Sequence, residues 1–226
     1  MRNNSIALRY DFENAAMVFA KAFNITPEQV KTQFKLTQSY LRLEQPFSTT
    51  STNMNFPVLN NIQSASGTQF ITEKRLNQQD SFIPTMVGIF VAAPASSTDA
   101  AFTPYAYLSP SVFGTANANA MRTFYNGFLS ISVNNIVVTP AWDVLKHWAS
   151  NQTQLLTAAP ASGAVVEQQY QDSDGYFPMQ PYVALIGSKN IQINIAQPAA
   201  PSAITASSRA IIIFQGILAQ NSTVVV

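Results

Sequence analysis

From residue 48 onward the chain is a succession of short apolar runs separated by Pro, Gly, Asn and Ser. This punctuation is the strongest constraint on the fold. Runs of about four to eight apolar, β-branched and aromatic residues bounded by turn residues are strands. Because these runs do not alternate regularly with helical patterns, the pattern argues against a parallel α/β fold. The runs predict strands near 53–59, 68–76, 84–93, 102–108, 123–133, 135–139, 164–170, 181–187, 190–196 and 209–219. Phe128–Val133 alternates, and Asn134-Asn135 is a two-residue turn into Ile136. Gly187–Asn190 predicts a second hairpin, joining Val183–Ile186 to Ile191–Ile195. Many short strands with long irregular connections predict a mainly β domain: a single jelly roll or related antiparallel β-sandwich.

Two short helices precede the strands. Phe12, Ala15, Ala16, Phe19, Ala22 and Phe23 share one helical face over 11–24, with Asp11 as a possible cap. Thr26, Pro27 and Gln29 form a capping-box signature for a second helix, which should end between Leu36 and Tyr40. The domain division that follows is 1–47, a helical arm with a lead-in strand, and 48–226, the β-sandwich. Thr139-Pro140 repeats the helix-start pattern and predicts a short helix over 140–149 that packs Trp142, Leu145 and Trp148.

Charge is scarce. Asp, Glu, Lys and Arg make up 10% of the residues, against roughly 25% in ordinary soluble domains. The 18 Asn and 18 Gln outnumber the charges. At a net charge of +1 copies of the chain repel one another weakly, and interface centres are poor in charge and rich in aromatics. Basic residues do not cluster: six lie in the first 45 positions beside four acids, and none lies between Leu76 and Met121. No specific nucleic-acid motif is present, and the longest apolar runs fall short of a membrane span. The start, MRNNSIALRYDFEN, lacks a signal-peptide pattern, and the absence of Cys fits a reducing compartment. Synthesis in a cytoplasm is therefore expected.

The side chains offer little chemistry. His147 is the lone histidine and sits between two Trp, so a triad or a zinc site has no second partner. Asp172-Ser173-Asp174-Gly175 opens like a calcium loop, but its twelfth position is Val183 rather than Glu. No pair of acids is marked out by local sequence, and no Gly-rich phosphate loop occurs. The expectation is no enzyme, no cofactor and no metal.

FYNGFLSISVNNIVV (Phe124–Val138), running into TPAWD (Thr139–Asp143), and IIIFQGILAQN (Ile211–Asn221) carry a resemblance. In this charge-poor, Asn/Gln/Ala/Pro-rich style, over about the last two-thirds of the chain, it resembles coat and other virion structural proteins of bacteriophages. The resemblance implies a self-assembling capsid subunit. Its partners would be copies of itself and other virion proteins, and its location the virion. Tailless phage coats often fuse two jelly rolls, whereas this length allows one. Phe12, Phe19, Phe23 and Phe34 are the expected apolar face of the arm, turned either to a neighbouring subunit or to the chain's own sandwich. The alternative from another class is a fibre or lectin-like binding module that recognises a glycan or receptor, using Tyr105, Tyr107 or Tyr176 for stacking.

Overall fold

The computed structural model describes residues 4–60, 69–96, 98–106, 108, 113, 115–148, 175–201, 204 and 207–225. Two N-terminal helices, α1 (Asn4–Phe23) and α2 (Pro27–Gln33), lead into β1 (Lys35–Pro46) and β2 (Asn53–Pro57). Then come β3 (Ser81–Ala92), α3 (Thr115–Tyr125), β4 (Phe128–Val133) and β5 (Ile136–Asp143), which ends in a 3-10 turn at Val144–His147. The chain continues through β6 (Tyr176–Pro178), β7 (Leu185–Ile186), β8 (Ile191–Ala196), β9 (Arg209–Gln220) and a terminal turn of helix, α4 (Ser222–Val225). The strands form two antiparallel sheets packed as a sandwich. One has the order β1-β9-β3-β6, with β7 on the far end of β3, and the other β2-β8-β4-β5.

Alternation decides which side chains fill the sandwich. Leu41 and Leu43 of β1, Val87, Ile89 and Val91 of β3, and Ala210, Ile212 and Phe214 of β9 face Met54, Phe56, Leu129, Ile131, Ile193 and Ile195 of the other sheet. Each fully buried Leu, Ile or Phe contributes about 1.5–3 kcal/mol. The apolar stretches of β9, Ala210–Phe214 and Ile217–Ala219, follow from its place as a central strand covered on both faces over most of its length. Its alternate residues Ile217 and Ala219 lie under α1 and α2 with Ile83, while Ile211 packs with Phe90 and Ala106.

The helical entry is closely specified by sequence. Asn24, at a positive φ of 57°, ends α1, and the Ile25 amide reaches back to the Ala20 carbonyl at 3.0 Å as in a Schellman motif. Thr26 and Gln29 then form the reciprocal capping box. Asp11 is not a cap: α1 begins seven residues earlier than the aromatic pattern indicates, and Asp11 accepts a hydrogen bond from the Tyr182 hydroxyl at 3.3 Å. Nor does α2 reach Leu36, because Phe34 already has extended backbone and β1 starts at Lys35.

Other expectations are corrected. The expected strand 123–133 starts only at Phe128: residues 123–125 close the helix α3, in which Ala118, Met121, Phe124 and Tyr125 reach the core at helical spacing. Pro140 lies in β5, not in a helix, which an edge strand tolerates because proline's missing N–H costs no ladder bond at a position without a register partner. Asp143 caps the 3-10 turn that follows. The described parts of 68–76 and 102–108 make only isolated bridges, Lys74 to Arg42, Leu76 to Leu59 and Tyr105 to Val91. The Asn134-Asn135 hairpin is present, both residues at positive φ. The turn after Ile186 instead changes sheet: β7 pairs with β3, whereas β8 lies between β2 and β4. The expected strand 164–170 and Asp172–Asp174 lie outside the described residues.

Candidate functional site

The two outer faces of the sandwich differ. On the five-stranded sheet, α1 and α2 cover one end and residues 70–75 and 99–106 approach the other. On the four-stranded sheet the outward positions are exposed at Asn53, Asn55, Phe128, Val137, Gln192 and Ala196, and half-buried at Ser130, Ser132 and Asn194. Register aligns them in rows. Asn55, Asn194 and Ser130 form one, and Gln192, Ser132 and Val137 form another. β2, β4 and β8 carry no charged residue, and β5 carries only Asp143. Among the described residues no strand pairs with the outer edge of β5, where Ile136 is 68% and Val137 57% exposed. At Ile136 and Val137, ahead of Pro140 and Asp143, this uncovered edge can template pairing with a further chain.

Charge is concentrated instead at one end of the five-stranded sheet. Glu44, fully buried, accepts from Arg42 Nε and Thr72 Oγ1 through one oxygen and from Arg209 Nη1 through the other. Glu73 accepts from the Glu44 and Phe70 amides and from Arg75 Nη2. Burial raises the Glu73 carboxyl above its ordinary value. Five of the chain's 23 formal charges are thus tied to one another.

Beside this network lies an open groove of about 560 Å³ on the outer face of the five-stranded sheet. Its lining includes Gln38, Tyr40 and Arg42 of β1, Thr72, Tyr176 of β6 and Gln215 of β9. Gln215 hydrogen-bonds the Tyr176 hydroxyl, whose ionisation burial pushes upward. The Tyr40 ring divides the groove from a second hollow lined by Lys74, and Lys74 Nζ stands 4.4 Å from the ring centroid.

His147 is fully buried. Its Nε2 accepts from Trp142 Nε1 and its Nδ1–H donates to the Gly175 carbonyl, both at 2.8 Å, so the ring is the neutral Nδ1–H tautomer. Burial lowers its pKa to about 4. Phe177 of β6 packs edge-on against it, so the ring links the β5 edge of one sheet to the β6 edge of the other.

Phe19 and Phe34 are buried against Ile83, Ile217 and Ala219 of the chain's own sheet, and Phe12 and Phe23 pack half-buried on the same cluster. Tyr105 packs edge-on against Phe113, and Tyr176 lines the groove while leaning on Phe90. Tyr107 lies outside the described residues. The sequence reading missed the amide rows and the Tyr40–Arg42 floor. The signal for the rows is the alternation of amides with apolar residues in Asn53-Met54-Asn55-Phe56 and Ile191-Gln192-Ile193-Asn194. Among the described residues no group of three or more His, Cys, Asp or Glu is placed to hold a metal ion, and no helix is long and apolar enough to cross a membrane. Compared with known proteins, the chain matches no family model, no curated protein and no solved structure.

Proposed function

We propose that the chain is a self-assembling structural subunit of a virus particle, a phage coat protein without catalytic activity, folded as a single jelly roll. Strand pairing supports the jelly roll. An eight-stranded antiparallel ribbon folded in half pairs first with eighth, second with seventh, third with sixth and fourth with fifth. With the two-residue β7 left aside, the corresponding pairs are β1/β9, β2/β8, β3/β6 and β4/β5, divided alternately between the two sheets. Rolling the ribbon up brings β9 beside β3 and β8 beside β4.

The observation that carries the assembly reading is the exposed outer face of the four-stranded sheet, whose one charged residue is Asp143 at the end of β5, together with the open β5 edge. Amides and hydroxyls both donate and accept, so a face of Asn, Gln and Ser is complementary to its own copy, as symmetric contacts require. The occupant is therefore a second copy of the chain, with other virion proteins beyond it. In this reading the half-buried Phe12 and Phe23 at the rim of the arm form a second, separate contact on the side of the five-stranded sheet, while Phe19 and Phe34 hold the arm to its own sheet. The test is mass by light scattering after size exclusion, with negative-stain images of the same fraction. Shells, rings or capsomer-sized oligomers support the proposal. A 24.6 kDa monomer persisting at every concentration overturns it.

A further inference from the structure

We propose that the groove on the outer face of the five-stranded sheet binds a saccharide bearing a carboxylate, with Arg42 taking the carboxylate and Tyr40 the sugar ring. The size fits. At about 560 Å³ the groove lies within the range of about 300–1,000 Å³ typical of small-molecule sites. The lining argues for a polyhydroxylated ligand. Ile213 is the one aliphatic side chain in it, and Gln38, Gln215, Thr72 and the tyrosines supply amides and hydroxyls that donate and accept. Tyr40, 47% exposed, provides an aromatic surface of the kind that stacks against the C–H face of a sugar. Lys74, from the neighbouring hollow, holds that ring by a cation–π contact.

The charge argues for an acid. The groove's lining contains one cation, Arg42, and no carboxylate. The nearest partner acid, Glu44, is shared with Arg209 and Thr72, so one carboxylate faces two guanidinium groups and positive charge is left over. Glu44 grips Arg42 by Nε at 2.8 Å, which orients the guanidinium plane in advance. Its two terminal nitrogens are the fork assigned to the ligand carboxylate. Tyr176, hydrogen-bonded to Gln215, closes the β6 side. The inference is independent of self-assembly, because the groove and the bare amide face belong to different sheets.

The probes are tetragalacturonate and its fully methyl-esterified form, which present the same rings with and without free carboxylates. Binding is followed by calorimetry and by amide chemical shifts of the full chain. Tetragalacturonate is expected to bind at least about tenfold tighter than the ester, a difference of about 1.4 kcal/mol, with shifts confined to β1, β6, β9 and the residues around Thr72. Tyr40→Ala and Gln38→Ala, both at exposed positions, should each weaken binding while leaving the unfolding midpoint unchanged. They avoid the buried ion pairs, so a folding defect does not obscure the result. Equal affinity for acid and ester, binding unaffected by Tyr40→Ala, competition by millimolar inorganic sulfate alone, or no binding at millimolar ligand would each overturn the proposal.

Discussion

Arg209 Nη1 lies 2.8 Å from Glu44 Oε2 across 165 residues of sequence, with neither side chain more than 1% exposed. Phe70 and Phe102 bracket the guanidinium at 4.2 and 4.4 Å from their ring centroids, and the Asp99 carbonyl accepts from Nη2. A chain this poor in charge has buried an ion pair where β1 and β9 meet the segments that cross their outer face. Such pairs add little over an apolar substitute, but removing one partner strands the other charge out of water.

Glu44→Gln should therefore cost about 3–5 kcal/mol, because Arg209 and Arg42 lose their common counter-charge. Glu44→Leu combined with Arg209→Met should cost less than the sum of the single changes, since the double variant leaves only Arg42, which reaches solvent. Urea unfolding of the four proteins measures the coupling. Additive losses would mean that the contact is energetically idle.

The pH dependence of stability has a definable contribution from His147. The ring titrates near 6.5 in the unfolded chain and at about 4 in the fold. Between those values the unfolded chain binds more protons. The contribution is complete above about pH 6.5, falls as pH drops toward 4, and reaches a loss of about 3 kcal/mol. Glu73 acts with the opposite sign. Its carboxyl is raised above 4.5, so its contribution is present below 4.5 and is lost as pH rises through the folded value. Comparing the native chain with His147→Gln isolates the histidine: the difference in unfolding free energy should shrink from pH 7 to pH 4. A pH-independent difference would contradict the neutral, doubly bonded ring.

How much of this was legible in the sequence depended on how local the deciding interactions are. The capping box at Thr26 and Gln29 and the turn at Asn134-Asn135 are settled within a few residues, and both form as their residue types require. The Asn134 side chain also accepts from the Asn190 amide, which no local pattern announces. Thr139-Pro140 carries a sound helix-start signal that pairing with β4 overrides. Phe124 and Tyr125 fit a strand or a helix equally well until Ala118 and Met121 set the period. The groove was half legible. Tyr176 stood out as an aromatic near a turn, whereas Tyr40 and Arg42 are brought to Gln215 and Tyr176 only by the order of β1, β9, β3 and β6. The amide face was legible only as composition.

Gly216 is required by a close approach rather than by a turn. A β-carbon there would lie 2.0 Å from the Ile83 carbonyl oxygen, where the pairing of β3 with β9 shifts register between Pro84 and Met86. The three nearest atoms, the Ile83 carbonyl oxygen and carbon and the Pro84 Cα, are all backbone, so no rotamer relieves the clash. Gly216→Ala should destabilise the protein by about 3 kcal/mol or more, or leave it insoluble. Thermal unfolding of the purified variant is the measurement, and a midpoint within a degree of the native chain would refute the clash.

The bare face makes the sharpest prediction about assembly. Asn55 and Gln192 are exposed on the outer side of the four-stranded sheet and make no contribution to the apolar core. Lysine at both positions should therefore leave the stability of the monomer within about 0.5 kcal/mol of native. In an assembled particle the same two charges would be taken out of water without partners, at a cost of several kcal/mol for each copy. Asn55→Lys/Gln192→Lys should unfold like the native chain yet elute as a monomer under conditions where the native chain forms oligomers. Ile136→Lys tests the β5 edge separately, since Ile136 is exposed on the edge strand but alternates away from the row of Val137, Ser132 and Gln192, and a charge on an edge strand blocks further strand pairing. If the face forms the contact and the edge does not, only the double variant should dissociate. If the edge forms it, Ile136→Lys alone should suffice. Assembly unaffected by all three substitutions would move the contact to the N-terminal arm, where Phe12 and Phe23 remain half-exposed.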